Sequence, residues 1–335
     1  MKETSVWMLA WRRFKRDRLG VASLVVVAIY AVVMLAAAAG LIVRDWGDEA
    51  GVSFAPPTLL GPEAQSPQLA KMAEGAQPVS DYGIPDPLAP DLADIAKSLA
   101  GTASGTEARA ATLPFGADKW GRDVLKKAIK GTQTSLFIGL AAAALAAFIG
   151  TLFGALAGYR GGKIDDFFNW LYSVFTSIPY LLLVLSIAAV VNSKGVLPVI
   201  LILGLTGWTG IFRLVRAEYM KHKVREYVMA ADAIGASDAR RMFVHILPNV
   251  SHVVLVQLSL HVVLFIKSEV ILTFLGFGVG VETASWGSML AEAGSELLLG
   301  KWWQLTTATV FMALLVTAFS LFTDAMRDAL DPRLK

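Results

Sequence analysis

The sequence predicts an all-α, polytopic membrane protein with six transmembrane helices, and three observations carry that prediction. Of its 335 residues 55% are hydrophobic, and the mean hydropathy is +0.57. The apolar residues are gathered into long runs. Short basic clusters flank those runs instead of spreading over an aromatic-rich face. A hydrocarbon core of roughly 30 Å needs about 20 mostly apolar helical residues, a length several runs reach. The net charge of +3 therefore reads as a topology signal, with no nucleic-acid partner expected. Cysteine is absent, which excludes disulfides and thiolate metal sites.

Residues 1–18 form a basic N-terminal segment containing Arg12, Arg13, Lys15, Arg16 and Arg18. The first apolar run covers 19–43. It is longer than the roughly 7–15 residues of a signal-peptide core, so an uncleaved membrane helix is expected. Residues 44–132 change character, and up to about 112 they are interrupted by Pro56, Pro57, Pro62, Pro67, Pro78, Pro85, Pro87 and Pro90. Such a polar, irregular backbone cannot be satisfied in lipid, so this is an extramembrane loop, with an interfacial helix expected near 120–130. A five-helix core at 133–325 follows, with spans at 133–158, 168–191, 196–215, 250–273 and 303–325. Residues 326–335 form the tail.

An even number of spans puts both termini on one side. Arg213, Arg216, Lys221, Lys223, Arg225, Arg240 and Arg241 then share a side with the basic N-terminus, as do Arg327, Arg333 and Lys335 of the tail. That bias marks the side as cytoplasmic, and places the Pro-rich loop and residues 275–302 outside.

The loop at 217–249 carries the stretch EYVMAADAIGASDARRMFVHILPN, from Glu226 to Asn249. Glu226 to Ile234 reads as a short helix that Gly235 breaks. Ser237 can cap a second helix, and Asp238 suits its positive end. Pro248 is expected to end that second helix. Ala230, Ala231, Ala233 and Gly235 are expected on the surface, where small residues let another backbone approach.

Polar residues inside spans are costly. Gln257, His261 and Ser268 follow steps of four and seven, so they share one helical face. That face either lines a translocation path or hydrogen-bonds a neighbouring helix. Lys267 and Glu269 are expected near the outer end, within reach of the interface or a partner. His222, His245, His252 and His261 lack metal-ligand spacing, so no metal site is expected. No internal repeat of the secondary-transporter kind stands out. No GxSxG, HExxH or GxxxxGK[ST] occurs, so neither catalysis nor ATP binding is expected of this chain.

The Glu226–Asn249 loop resembles the EAA loop of ABC importer permeases, in Ala230, Ala231, Gly235, Leu247 and Pro248, with Ala236 and Ser237 beside the glycine. Met229 stands where that family has its glutamate. LPFGADKWGRDV (Leu113–Val124), GYRGGKIDD (Gly158–Asp166), SEVILTFLGFG (Ser268–Gly278), SWGSML (Ser285–Leu290) and DAMRDALDPR (Asp324–Arg333) are similar to the C-type permeases of dipeptide and oligopeptide importers. The likeness spans nearly all of the chain outside 44–112, although GVETAS replaces the prolines that commonly precede the Trp-Gly pair. It implies a type I ABC importer permease fold in a bacterial inner membrane, with residues 230, 231, 235–237, 247 and 248 coupling to an ATPase. It also implies a homologous B-type permease, two ATPase subunits that bind the ATP, and an extracytoplasmic solute-binding protein. No cofactor is implied for the chain itself.

Overall fold

The computed structural model describes residues 11–62, 94, 109–280 and 282–330. The prolines from Pro67 to Pro90, and Arg333 and Lys335, lie outside the described residues. The chain divides into a unit of residues 47–124 and a unit made of the residues up to 46 and from 125 onward.

In the larger unit α1 runs from Arg18 to Ala38, and Asp17 caps it by accepting from the Leu19 amide at 3.0 Å. Its 21 residues give about 32 Å, enough to cross a bilayer. Val25, Ile29, Val32 and Leu35 are exposed on one side. On the other, Tyr30 donates to the Phe311 carbonyl at 2.9 Å.

α2 (Val124–Arg160) has 37 residues and a length of about 55 Å, so it outreaches the hydrocarbon. Its first turns occupy the stretch where an interfacial helix was expected. Gly150, Gly154 and Gly158 recur every four residues along it. A Cβ on them would lie 2.8 Å from the Trp208 carbonyl, 2.9 Å from the Phe212 carbonyl and 2.5 Å from the Arg216 carbonyl, respectively. Two helix backbones thus run in contact, the arrangement that small residues at four-residue spacing permit in membranes. The facing helix runs from Thr209 to His222.

The span expected at 168–191 is not one straight helix. α3 (Gly162–Thr176) and α4 (Tyr180–Val191) meet at 85° around Pro179. Proline lacks the amide a continuing helix needs and forces extended geometry on the residue before it, so the chain turns. Asn192, in the left-handed conformation, and Gly195 then reverse the chain into α5 (Val196–Thr206). After a short break at Gly207 and Trp208 comes α6 (Thr209–His222). Phe168, Tyr172 and Phe175 of α3 pack around buried Trp208 and Phe212.

α7 (Glu226–Ala233) and the short α8 (Asp238–Arg240) build the projecting loop. Pro248 does not end the helix that follows: α8, a π-helical turn (Arg241–Ile246) and α9 (Leu247–Phe274) form one unbroken 37-residue helical run. The wider π turn just before Pro248 accommodates a proline in a helix that continues. α10 (Trp286–Leu298) opens on a reciprocal Ser285–Ser288 capping box, and α11 (Trp303–Leu330) packs against α1. Among the described residues five helical runs are long and apolar enough to cross a membrane, and the bent α3–α4 pair makes six if it counts as one crossing.

The smaller unit is irregular, tied by bridges Gly51–Ala110, Pro57–Leu113 and Ala117–Asp123. Its centre is buried Asp118, whose carboxylate accepts from the amides of Trp120 (2.9 Å) and Arg122 (3.0 Å) and from Arg122 Nε (2.8 Å). The Asp118–Arg122 part of the LPFGADKWGRDV stretch is thereby a self-bonded turn, and the stretch is also bonded to residues 51–58.

Candidate functional site, a projecting helix–turn–helix

α7 ends where Gly235 takes φ +80°, a left-handed conformation that costs side-chain-bearing residues energy. The turn closes two hydrogen bonds back onto α7. The Gly235 amide donates to the Asp232 carbonyl at 2.8 Å, and the Ala236 amide to the Ala231 carbonyl at 3.0 Å. Ser237 then caps α8 by accepting from the Arg240 amide at 3.4 Å. The sequence-expected break, cap and acidic first turn all form here.

Ala230, Ala233 and Gly235 are exposed, and among the described residues nothing lies within 4 Å of where a Gly235 Cβ would be. Ala231 corrects the expectation: it is buried, because with Val228 it forms the one-turn-apart pair that seats α7 on the bundle. The outward side carries two apolar residues that the small-residue pattern concealed. Met229 is exposed, and Ile234 is 85% exposed at the tip of the turn. Leu247 is half-buried and Pro248 exposed at the start of α9, so they lie at the root of the loop. An exposed isoleucine on a projecting loop was readable only as the residue before the helix-breaking glycine.

Gln257, His261 and Ser268 share a face of α9 but not an environment. Gln257 lines a cavity of about 340 Å³, together with Leu214, Glu218, His252, Leu260 and Arg327. His261 is buried, its Nδ1 2.7 Å from the Gln257 carbonyl and its ring 3.7 Å from a Cβ placed on Gly210. Ser268 is buried and donates to the Leu264 carbonyl of its own helix at 2.9 Å. Gln257 is the one of the three that this cavity exposes.

Glu269 also corrects its expectation. It is fully buried, accepting from Ser135 Oγ of α2 at 2.8 Å and from Thr273 Oγ1 at 2.9 Å. Thr273 Oγ1 accepts in turn from the Val279 amide at 3.2 Å, and Ser135 Oγ from the Trp286 amide at 3.3 Å. The carboxylate thus ties α2, α9 and the start of α10 together. Lys267, two residues earlier and so on the other side of the helix, is exposed. Beside this node Lys127 pairs with Glu292, which also accepts from Gln304 Nε2 at 3.1 Å. Among the described residues no group of three metal-ligating side chains comes together.

An apolar helical bundle with a helix–turn–helix between two of its spans is an architecture that membrane permeases share. Residues 150–335 match the family described as binding-protein-dependent transport system inner membrane component, and the chain belongs to that family. Residues 5–57 match the N-terminal transmembrane domain of oligopeptide transport permease C. The dipeptide transport system permease protein DppC of Bacillus subtilis is 38% identical over 221 residues, covering 66% of this chain and 69% of the relative. The oligopeptide permease OppC of the same organism is 37% identical, over 66% and 72%. The di/tripeptide permease DppC of Pseudomonas aeruginosa is 34% identical, over 69% and 76%.

Proposed function

We propose that this chain is the C-type permease subunit of an ATP-driven peptide importer, and that its α7–α8 loop is where an ATPase subunit docks. The observation that carries the docking role is the exposed turn at Gly235. It presents Met229 and Ile234 outward, and the left-handed glycine leaves its surface open. A groove on another protein can receive such a short helix by its apolar anchors. The relatives' peptide-transport names and the family description support the remainder of the reading.

In this reading the chain pairs with a homologous B-type permease in the inner membrane, with lipid around it and the path between the two. Two ATPase subunits bind the loops from the cytoplasm, and an extracytoplasmic binding protein delivers the cargo. The chain holds no cofactor, and the ATP stays on the partners. Closure of the ATPases on ATP draws the two docking loops together. That shifts the permeases only because the ATPases contact the two states differently.

The purified chain is expected to hydrolyse no ATP. Reconstituted with its partner permease, the two ATPases and the binding protein, it is expected to support ATP-dependent uptake of a labelled peptide. Robust hydrolysis by the isolated chain, or uptake by the assembly without ATP, would sink this account.

The orientation makes a separate prediction, in which both termini are cytoplasmic. In a chain without native cysteine, a thiol introduced at exposed Ser295 is expected to react with a membrane-impermeant maleimide added outside, and one at Ser237 only after permeabilisation. The reverse labelling would invert the topology.

A further inference from the structure

A docked helix transmits force only if it is held rigidly to what it must move, and α7 is poorly placed to be rigid alone. It has eight residues, buries only Val228 and Ala231, and leads into α8 through the open glycine turn. Helices this short owe their stability to tertiary contacts. From α8 the backbone then passes through a π turn before it reaches α9.

Side chains bridge both weak points. Arg241, the first residue of the π turn, forms ion pairs with Asp232 of α7 and, at 2.6 Å, with Asp238 of α8. Its guanidinium lies 5.9 Å from the ring centre of Tyr159, at the end of α2, within cation–π range. Tyr159 donates to Asp238 at 3.3 Å, Arg160 pairs with Asp238 at 3.3 Å, and Lys223 donates to the Tyr159 carbonyl at 3.1 Å. The Arg241 side chain is 17% exposed and that of Asp232 63% exposed, so one end of the pair is fixed in the protein and the other reaches out to α7. Arginine suits this place because its planar fork serves two carboxylates while its face stacks on a ring, which an ammonium does not do.

We propose that Arg241 is the positioning residue that makes the docking helix, the end of α2 and the start of the α9 run move as one body. Movement imposed on α7 then reaches the spans through this clasp and not through the glycine turn. The inference rests on the docking role proposed above for the same loop.

The test uses the assembled complex in liposomes: both permeases, both ATPases and the binding protein. Spin labels on cysteines at exposed Glu226 (the first residue of α7, away from the glycine turn) and exposed Phe148 (α2) report the separation of the two elements, and a radiolabelled dipeptide and pentapeptide report transport. In the otherwise unsubstituted chain one narrow distance distribution is expected, unchanged by ATP. In Asp232→Asn and in Arg241→Gln that distribution broadens, peptide moved per ATP hydrolysed falls about two- to thirtyfold, and the ATPases stay bound. The double variant is no worse than the worse single one, because both remove the same link. Arg241→Lys falls between.

A broad or ATP-dependent distance in the unsubstituted chain, or an unchanged distance in both variants, overturns the proposal. So does loss of the ATPases from both variants, since the pair would then build the docking surface instead of relaying its motion. Should Arg241→Gln fail to accumulate, Asp232→Asn decides alone, its side chain being largely in solvent. Gly235→Arg in the same preparation separates the two readings. Normal transport there fails the docking role itself, whereas lost transport there beside normal values in Asp232→Asn and Arg241→Gln fails only the clasp.

Discussion

Gly235→Arg is expected to abolish uptake while the permease stays in the membrane at near its normal amount. The glycine holds φ +80°, and forcing a side-chain-bearing residue into a sparsely populated backbone region costs about 1–3 kcal/mol, or roughly five- to hundredfold in the population of the competent turn. Among the described residues nothing lies within 4 Å of its Cβ position, so the new side chain meets no wall in the described bundle. Its first obstacle is whatever docks there. In the proposed docking, a guanidinium beside Met229 and Ile234 adds a desolvated charge to the strained turn. Gly235→Asn is the informative companion, because asparagine tolerates the left-handed region and adds no charge. Uptake is expected in the order glycine, asparagine, arginine, at equal abundance by immunoblot. Undiminished uptake in Gly235→Arg would remove the loop from the coupling route.

How much of this was legible in the sequence depended on whether the deciding physics was local. The turn at Gly235 and the cap at Ser237 were readable, because each needs only a residue type and its neighbours on the chain. Pro248 is misleading for the same reason. A proline after a helical stretch normally ends it, and nothing in the residues alone shows that a π turn precedes it and lets the helix continue. Pro179 inside the 168–191 run misleads in the opposite direction, since apolar length argues for a span while the chain bends by 85° around the ring.

Burial was the hardest to read. Glu269 and Lys267 look alike as charges near the end of an apolar run, and only the packing of α2 and α10 decides that one is enclosed and the other exposed. Ala231 and Ala230 differ in the same way, by which side of an eight-residue helix faces the bundle. The Arg241 clasp was invisible for a further reason. Its members come from the ends of α2 and α6 and from both sides of the turn, and they meet only after the loop has folded.

The glycine stripe on α2 carries the second large expectation. Gly154→Leu is expected to deplete the folded permease from the membrane, and Gly154→Ala to lower its thermal stability in detergent. A Cβ at 154 would sit 2.9 Å from the Phe212 carbonyl, 2.9 Å from Val215 Cβ and 3.0 Å from the Arg216 amide nitrogen, so the obstacle is largely backbone and cannot rotate away. Gly150 and Gly158 press on the same helix a turn to either side, which leaves α6 no direction in which to retreat without opening the aromatic packing around Trp208 and Phe212. Overpacking of this kind costs about 1–3 kcal/mol for a modest side chain and more where the wall is rigid. Helix propensity pulls the other way, favouring alanine over glycine by about 0.8–1.0 kcal/mol in a helix interior. Gly294 isolates that opposing effect. It lies within α10 with nothing among the described residues within 4 Å of its added Cβ, so Gly294→Ala is expected to leave stability unchanged or raise it. The two alanine variants make the same chemical change with opposite expected signs, read as the midpoint of thermal unfolding for the same purified complex. A midpoint for Gly154→Ala at or above that of Gly294→Ala would mean that the α2–α6 backbones are not in contact, and the close crossing described above would have to be abandoned.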